Sequence, residues 1–126
     1  MKERSMCRRA YRLVEYRNGK LFTLFHGLPS GKRRSREIPL GVWLKAEQKM
    51  VRDGTGPWYL SGFNVLLRRG RMEDYAKRFK ATRELWLVSI WVNSSVRVKT
   101  HSRSDVWLAD WMMIPEQWVE EAIRIK

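Results

Sequence analysis

The segment of residues 85 to 92 constrains the fold more than any other part of this chain. Seven of its eight residues are apolar, and the exception is Ser89. Successive side chains of an extended chain point to opposite faces, so this segment carries apolar residues on both faces. Such strands are typical of the centre of a sheet, where both faces are buried. We therefore expect residues 85 to 92 to form the central strand of a sheet.

A β-hairpin is indicated near the N-terminus. Residues 10 to 16 alternate large and polar side chains, and residues 21 to 25 are rich in strand formers. Between them, Asn18 and Gly19 tolerate the positive φ angles that a type I′ turn needs at both central positions. The pattern predicts two antiparallel strands joined by a two-residue turn.

Three further segments have strand-like patterns. Residues 58 to 67 are mostly apolar but are interrupted at Ser61-Gly62, where glycine indicates a bulge or a close approach of two backbones. Residues 96 to 99 alternate valine with a basic residue, which predicts that the valines face inward and the basic residues face outward. Residues 106 to 114 fit either a strand or a helix.

Three segments have helical spacing. They are residues 39 to 50, residues 72 to 80, and a C-terminal stretch that begins at Pro115, a residue suited to the first helical position. Together with the strands, they predict an α+β fold: a single domain with a twisted, mostly antiparallel sheet, an N-terminal β-hairpin and two or three short helices. This domain would span residues 10–126 and follow a basic N-terminal arm of residues 1–9.

The charge of the chain points to a polyanionic partner. The formal net charge is +13, with 26 basic and 13 acidic residues among 126. Solubility alone does not require a twofold excess of bases. The excess is concentrated in residues 1 to 36, whereas residues 104 to 126 are acidic on balance. A hydrophobic content of 44% with seven tryptophans excludes a disordered basic tail.

The sequence offers little for catalysis or for a metal. Cys7 is the only cysteine and the histidines are His26 and His101 alone, which argues against a zinc cluster and a histidine-rich site. No phosphate-binding loop or nucleophile-elbow serine occurs. We expect binding rather than catalysis, with no metal and no cofactor. No apolar run of roughly 18 residues or signal-peptide pattern is present, so we expect a cytoplasmic protein with no membrane partner.

Clusters of arginine and lysine are the candidate binding residues. Arginine dominates them, and its planar guanidinium suits bidentate contact with phosphate. Trp58 and Tyr59 lie beside turn glycines and are candidates for base stacking, although strand aromatics also commonly pack in a core. The residues that we expect to contact nucleic acid are Lys32, Arg33, Arg34, Arg36, Arg68, Arg69, Arg71, Lys77, Arg78, Trp58 and Tyr59.

Several short motifs together resemble a group of small uncharacterised tailed-phage proteins. They are Tyr11-Arg12-Leu13, Leu24-Phe25, Ile38-Pro39-Leu40-Gly41 with Trp43-Leu44 and Ala46-Glu47, Gly62-Phe63, and Met113-Ile114-Pro115. The phage proteins in turn look distantly like ADP-ribosyltransferase-type domains, whose curved split sheet binds a nicotinamide dinucleotide. They continue after Gly-Phe with Gly-Trp-His, whereas this chain has Asn64-Val65-Leu66. The resemblance therefore implies a phage accessory protein more than an enzyme.

These observations predict a small basic phage-type accessory protein that binds nucleic acid or a nucleic-acid-containing host complex in the bacterial cytoplasm. The resemblance implies a role as inhibitor of a host defence system. One alternative is a diverged ADP-ribosyltransferase-like enzyme. Another is a protein-binding module for an acidic partner, such as a host protein. The sequence does not separate RNA from DNA, or single from double strands, because no recognition motif stands out.

Overall fold

The computed structural model describes residues 7–23, 36–52, 55–68, 76–77, 84–93, 96–99 and 106–125. Within these ranges, helical structure is limited to Ala76 and one six-residue 3-10 helix, so the protein is mostly β and the expected α+β fold is wrong. The strands are β1 (Arg8–Arg17), β2 (Lys20–Phe22), β3 (Leu44–Lys45), β4 (Met50–Val51), β5 (Tyr59–Leu60), β6 (Phe63–Leu66), β7 (Leu85–Val92), β8 (Val96–Val98), β9 (Val106–Ala109), β10 (Trp111–Met113) and β11 (Ile123–Arg124).

Nine of these strands form one antiparallel sheet. Its order is β3-β10-β7-β1-β6-β9-β8, with β2 also paired to β1 and β11 also paired to β7. β4 and β5 pair only with each other, in a separate two-stranded sheet. We call β4 and β5, with the flanking residues Lys49, Arg52, Trp58 and Ser61, the ribbon.

The N-terminal hairpin is confirmed. β1 pairs with β2 in a register that places Arg17 opposite Lys20, which leaves a two-residue turn. Asn18 and Gly19 in that turn have φ angles of 51° and 77°. Both values lie in the left-handed region that a type I′ turn requires. The local turn chemistry therefore sets the register of the two strands.

The central strand is also confirmed. β7 pairs with β1 along its whole length, from Arg8↔Val92 to Glu15↔Leu85, and with β10 and β11 on its other side. Its two faces contribute to two different hydrophobic cores. Val88, Ile90 and Val92 belong to the larger core, and Leu85 and Leu87 belong to the smaller one. A strand with water on one face would not tolerate this composition.

The helix predicted for residues 39 to 50 does not form. Gly41 has a φ of 72°, which interrupts a helical run, and its N–H donates to the carbonyl of Ile114 at 2.8 Å. The chain then enters β3 and β4. Pairing with β10 and β5 supplies the backbone hydrogen bonds of this stretch, and tertiary pairing of this kind overrides a weak helical spacing.

The predicted C-terminal helix is wrong as well. Pro115 precedes the 3-10 helix Glu116–Glu121, after which Ala122 is extended and Ile123 belongs to β11. Of the helix predicted for residues 72 to 80, the structure describes only Ala76 and Lys77, and Ala76 is buried in the smaller core. Among the described residues, no helix has the length and apolar character needed to cross a membrane.

Two segments with strand-like patterns each form two strands instead of one. The interruption at Ser61-Gly62 separates β5 from β6, and a Cβ added to Gly62 would lie 3.0 Å from the carbonyl oxygen of Ala109. The predicted close backbone approach is therefore confirmed. Residues 106 to 114, which fitted a strand or a helix, form β9 and β10 with a break at Asp110.

Candidate nucleic-acid interface

The outer face of the ribbon exposes large side chains to solvent. Met50 and Leu60 are Cα partners across the two strands, so their side chains lie on the same face. Trp58 lies two residues before Leu60 and shares that face by the alternation of a strand. The three residues have exposed fractions of 57% for Met50, 60% for Trp58 and 40% for Leu60. A group of neighbouring apolar side chains that are each exposed to solvent is a feature of binding surfaces.

A basic side chain lies over the most exposed of these residues. The guanidinium carbon of Arg52 is 5.4 Å from the centroid of the Trp58 ring, within the range of a cation–π contact. Arg52 is itself exposed, as is Lys49 at the other end of β4. The ribbon thus presents an indole ring and positive charge side by side.

The inner face of the ribbon rests on the sheet through Tyr59 and Lys99. The Lys99 ammonium lies 5.0 Å from the Tyr59 ring centroid and donates to Oδ1 of Asn64 at 3.3 Å. Lys99 is only 7% exposed. Tyr59, predicted as a stacking residue, is half-buried in this contact, and its ring faces the protein instead of a ligand. Trp58 remains the stacking candidate.

Arg97 connects the ribbon to the main sheet. Its Nη1 donates to Oδ1 of Asp110 at 2.6 Å, and its Nη2 donates to the carbonyls of Leu60 and Ser61 at 3.1 and 3.0 Å. The side chains of Arg97 and Asp110 are 34% and 21% exposed, so the ion pair is partly shielded from water. One side chain therefore joins β8, the turn before β10, and the end of β5.

These contacts correct the prediction that residues 96 to 99 turn their basic side chains outward. Arg97 and Lys99 both face the ribbon, whereas Val98 on the opposite face is 50% exposed. The physical reason is that acceptors lie on this face of β8: the ribbon supplies the carbonyls of Leu60 and Ser61, and the main sheet supplies the Asn64 amide oxygen and the Asp110 carboxylate. Such partners compensate the cost of removing a cation from water.

Ser61 closes the base of the ribbon. Its N–H donates to the Lys49 carbonyl at 2.9 Å, and its hydroxyl donates to the Glu47 carbonyl at 2.5 Å. The same hydroxyl accepts from the Lys49 N–H at 3.1 Å. Sequence reasoning missed the ribbon. The available signal was the turn cluster of residues 52 to 57 between two short apolar pairs, which is typical of a hairpin.

The structure describes five of the eleven predicted contact residues. Arg36, Arg68 and Lys77 are exposed, as is Trp58, whereas Tyr59 is half-buried. Arg36 is held at the backbone, where its N–H donates to the Thr23 hydroxyl and its carbonyl accepts from the Thr23 N–H, both at 2.8 Å. The remaining six lie outside the described residues: Lys32, Arg33, Arg34, Arg69, Arg71 and Arg78.

A second group of aromatic and basic side chains lies where the 3-10 helix meets β7. The Arg9 guanidinium is 4.7 Å from the Trp118 ring centroid and donates to the Ser89 hydroxyl at 2.9 Å. Trp118 in turn contacts Trp91, with ring centroids 5.0 Å apart. Because Arg9 also lies 3.8 Å from a carboxylate oxygen of Glu121, its charge is already partly balanced within the chain.

Asn64 occupies the position where the resembling phage proteins continue with Gly-Trp-His. Its side-chain oxygen accepts from Lys99 and its carbonyl accepts from Arg12 at 3.0 Å. Its polar groups are thus used in contacts that join strands. In the described part of the chain, no three His, Cys, Asp or Glu side chains come close enough to hold a metal ion, and both histidines lie outside that part.

Comparison with protein-family models, with curated proteins and with solved structures finds no match to this chain. The resemblance to tailed-phage proteins and to ADP-ribosyltransferase-type domains is therefore untested and stays a prediction. The feature with the clearest chemistry is the ribbon, where Trp58 and Arg52 are exposed together.

Proposed function

We propose that this protein binds nucleic acid through phosphate contacts from its exposed basic side chains. The distribution of charge supports this proposal. Exposed basic residues outnumber exposed acidic ones by more than two to one in the described part of the chain. The basic residues are Arg8, Arg9, Arg17, Lys20, Arg36, Lys45, Lys49, Arg52, Arg68, Lys77 and Arg124, and the acidic ones are Glu37, Glu47, Glu116, Glu120 and Glu121.

Several of these cations are available for a ligand. Among the described residues, no acidic group lies within ion-pair distance of Arg36, Arg52 or Arg68. In contrast, Lys20 and Lys49 lie near Glu37 and Glu47, at 3.6 and 3.4 Å. Arginines without a carboxylate partner suit bidentate phosphate contacts, and nucleic-acid backbones supply phosphates at regular spacing.

The exposed Trp58 beside Arg52 is the observation that carries the proposal. Positive charge alone suits any polyanion, and the exposed indole adds a flat face on which an aromatic ring can stack. Nucleic acids combine phosphates with aromatic bases, which stack on side chains of this kind. The positive charge of Arg52 and the exposed ring of Trp58 therefore both match nucleic acid.

A salt titration tests the proposal. Nuclease-treated protein, purified at high salt, is titrated against short labelled DNA and RNA at several salt concentrations. We expect log affinity to fall linearly with log salt, with a slope that reports the number of phosphates contacted. Absence of binding at about 50 mM salt, where phosphate contacts are strong, would contradict the proposal.

A charge-reversal variant tests the predicted contact residues Arg33 and Arg34. Arg33→Glu with Arg34→Glu should weaken binding and lower the salt slope without lowering the melting temperature. The control is Arg17→Glu with Arg124→Glu, which makes the same change in net charge at arginines that already lie near Glu15 and Glu84. If both double variants lose affinity equally, the net charge of the protein determines binding, and Arg33 and Arg34 have no specific role.

For the biological setting, we propose a phage accessory protein that acts in the cytoplasm of a bacterial host and inhibits a defence system. The support is the resemblance of short motifs, spread over most of residues 10 to 115, to tailed-phage proteins. Expression of the chain in a bacterium with a defence system should raise the plating efficiency of a restricted phage, and the Arg33→Glu, Arg34→Glu variant should not. Equal plating with and without the protein would remove this setting but not nucleic-acid binding.

A further inference from the structure

We propose that the outer face of the ribbon is a stacking platform for unpaired bases, and that the protein accordingly binds single-stranded nucleic acid in preference to duplex. This inference rests on the proposed nucleic-acid binding and adds which form is bound and where. It involves four exposed residues on two short strands: Met50, Arg52, Trp58 and Leu60.

Trp58 lies largely in solvent. At 60% exposed, its ring contributes little to a hydrophobic core, and it belongs to neither of the two cores. Arg52 approaches its ring without enclosing it. Stacking an unpaired base on an indole removes apolar area from water on both partners, and neighbouring arginine adds attraction for the phosphate and for the base.

The rest of the ribbon's outer face has little capacity for hydrogen bonding. Besides Trp58 and Arg52, the described side chains on it are Leu60, which has no polar atom, and Met50, whose thioether sulfur is only a weak acceptor. A duplex presents base edges and phosphates and keeps the flat faces of its bases inside the stack. A single strand presents those flat faces. Apolar side chains around an indole therefore match unpaired bases better than a groove.

The ribbon is attached to the main sheet through its inner face. Arg97 donates to the Leu60 and Ser61 carbonyls, and Lys99 contacts the Tyr59 ring. Arg97 lies in β8 and Lys99 directly follows it, so these contacts attach the ribbon to the main sheet on the face opposite Trp58. A surface ordered before binding loses less conformational entropy when the ligand arrives. Arg97 and Lys99 are positioning residues in this scheme.

The test compares one single strand with one duplex. The full-length protein is titrated with labelled oligothymidylate of about 15 nucleotides and with a DNA duplex of equal length. We expect Trp58→Ala to weaken oligothymidylate binding about 5- to 150-fold, the range for loss of one stacked base, and to leave the salt slope unchanged. Trp58→Phe should retain most of the affinity, because a phenyl ring still stacks.

Two matched controls separate local contacts from general effects. Ile123→Ala removes another exposed apolar side chain, on β11, and should change neither affinity nor salt slope. Arg17→Ala removes one charge from another arginine-aromatic pair, over Phe22 at 3.9 Å, and should weaken oligothymidylate binding less than Arg52→Ala does. The melting temperature of Trp58→Ala should match that of the parent protein, since the ring is largely in water.

The outcomes separate this inference from the proposed function. If the parent protein binds oligothymidylate and Trp58→Ala binds equally well, the platform is wrong and nucleic-acid binding stands. If the duplex binds more tightly and Trp58→Ala weakens it, the ribbon enters a groove and the single-strand preference is wrong. If neither probe binds at about 50 mM salt, both proposals fail together.

Discussion

Replacement of Arg97 by alanine should loosen the attachment of the ribbon to the sheet. The side chain makes three hydrogen bonds: one to the Asp110 carboxylate at 2.6 Å and two to the carbonyls of Leu60 and Ser61 at 3.1 and 3.0 Å. Its loss would leave Asp110, which is 21% exposed, without this cation. The Ala46 N–H would still donate to the Asp110 carbonyl, because that bond is made by the backbone.

The contacts of Arg97 give the size of the effect. The bond to the Asp110 carboxylate, in which both partners are charged, contributes about 1.5–3 kcal/mol, and each bond to a neutral carbonyl contributes about 1 kcal/mol. The arginine and aspartate side chains are 34% and 21% exposed, so solvent screens part of their attraction. Water can also replace the guanidinium as the hydrogen-bond partner of Asp110 and of the two carbonyls. We therefore expect a destabilisation of about 2–3 kcal/mol, which for a chain of this length lowers the melting temperature by about 6–12 °C.

Urea unfolding followed by circular dichroism measures this change. A double-mutant cycle with Asp110→Ala should give a coupling energy of about 1 kcal/mol. Lys20→Ala is the control, because Lys20 and Glu37 lie 3.6 Å apart with side chains 60% and 52% exposed, and such exposed pairs contribute about 0–1 kcal/mol. Equal destabilisation by Arg97→Ala and Lys20→Ala would refute the reasoning, as would a coupling energy near zero.

Two further substitutions test the parts of the fold predicted from local pattern. Gly19→Ala places a side chain at a φ of 77° and should lower the free energy of unfolding by about 1 kcal/mol. The expected result is a lower urea midpoint with an unchanged slope, and an unaltered midpoint would contradict the type I′ turn. Ile90→Val removes one methylene from a fully buried position in β7 and should lower the free energy of unfolding by about 0.5–1.5 kcal/mol. Ile123→Val, at a residue 41% exposed, should lower it less, and equal losses would contradict the burial of β7.

Some elements could be predicted from the sequence because their signals are local. The first hairpin follows from Asn18-Gly19, where two adjacent residues tolerate positive φ. The burial of β7 follows from apolar residues on both faces of an eight-residue segment. The close approach at Gly62 follows from a glycine that interrupts an apolar strand. In each case, the physical cause lies within the segment that shows the pattern.

The candidate site was predictable only in part. Net charge indicated a polyanionic partner, and the position of Trp58 beside turn residues marked it as a stacking candidate, which its exposure of 60% now supports. Arg52 was missed, because its relation to Trp58 depends on the pairing of β4 with β5. Tyr59 follows Trp58 in sequence but lies on the other face of the same strand, so it contacts Lys99.

The sequence by itself determined the positive charge, the positions of the turns and the segments apolar enough to be buried. Tertiary structure decided between strand and helix for residues 39 to 50, where pairing with β10 and β5 outweighed a weak helical spacing. It also decided the direction of Arg97 and Lys99. Alternation in β8 places the valines and the basic residues on opposite faces, but acceptors from the ribbon, Asn64 and Asp110 hold the basic side chains against the protein instead of in solvent. Those acceptors come from distant parts of the chain, so no local pattern specifies them.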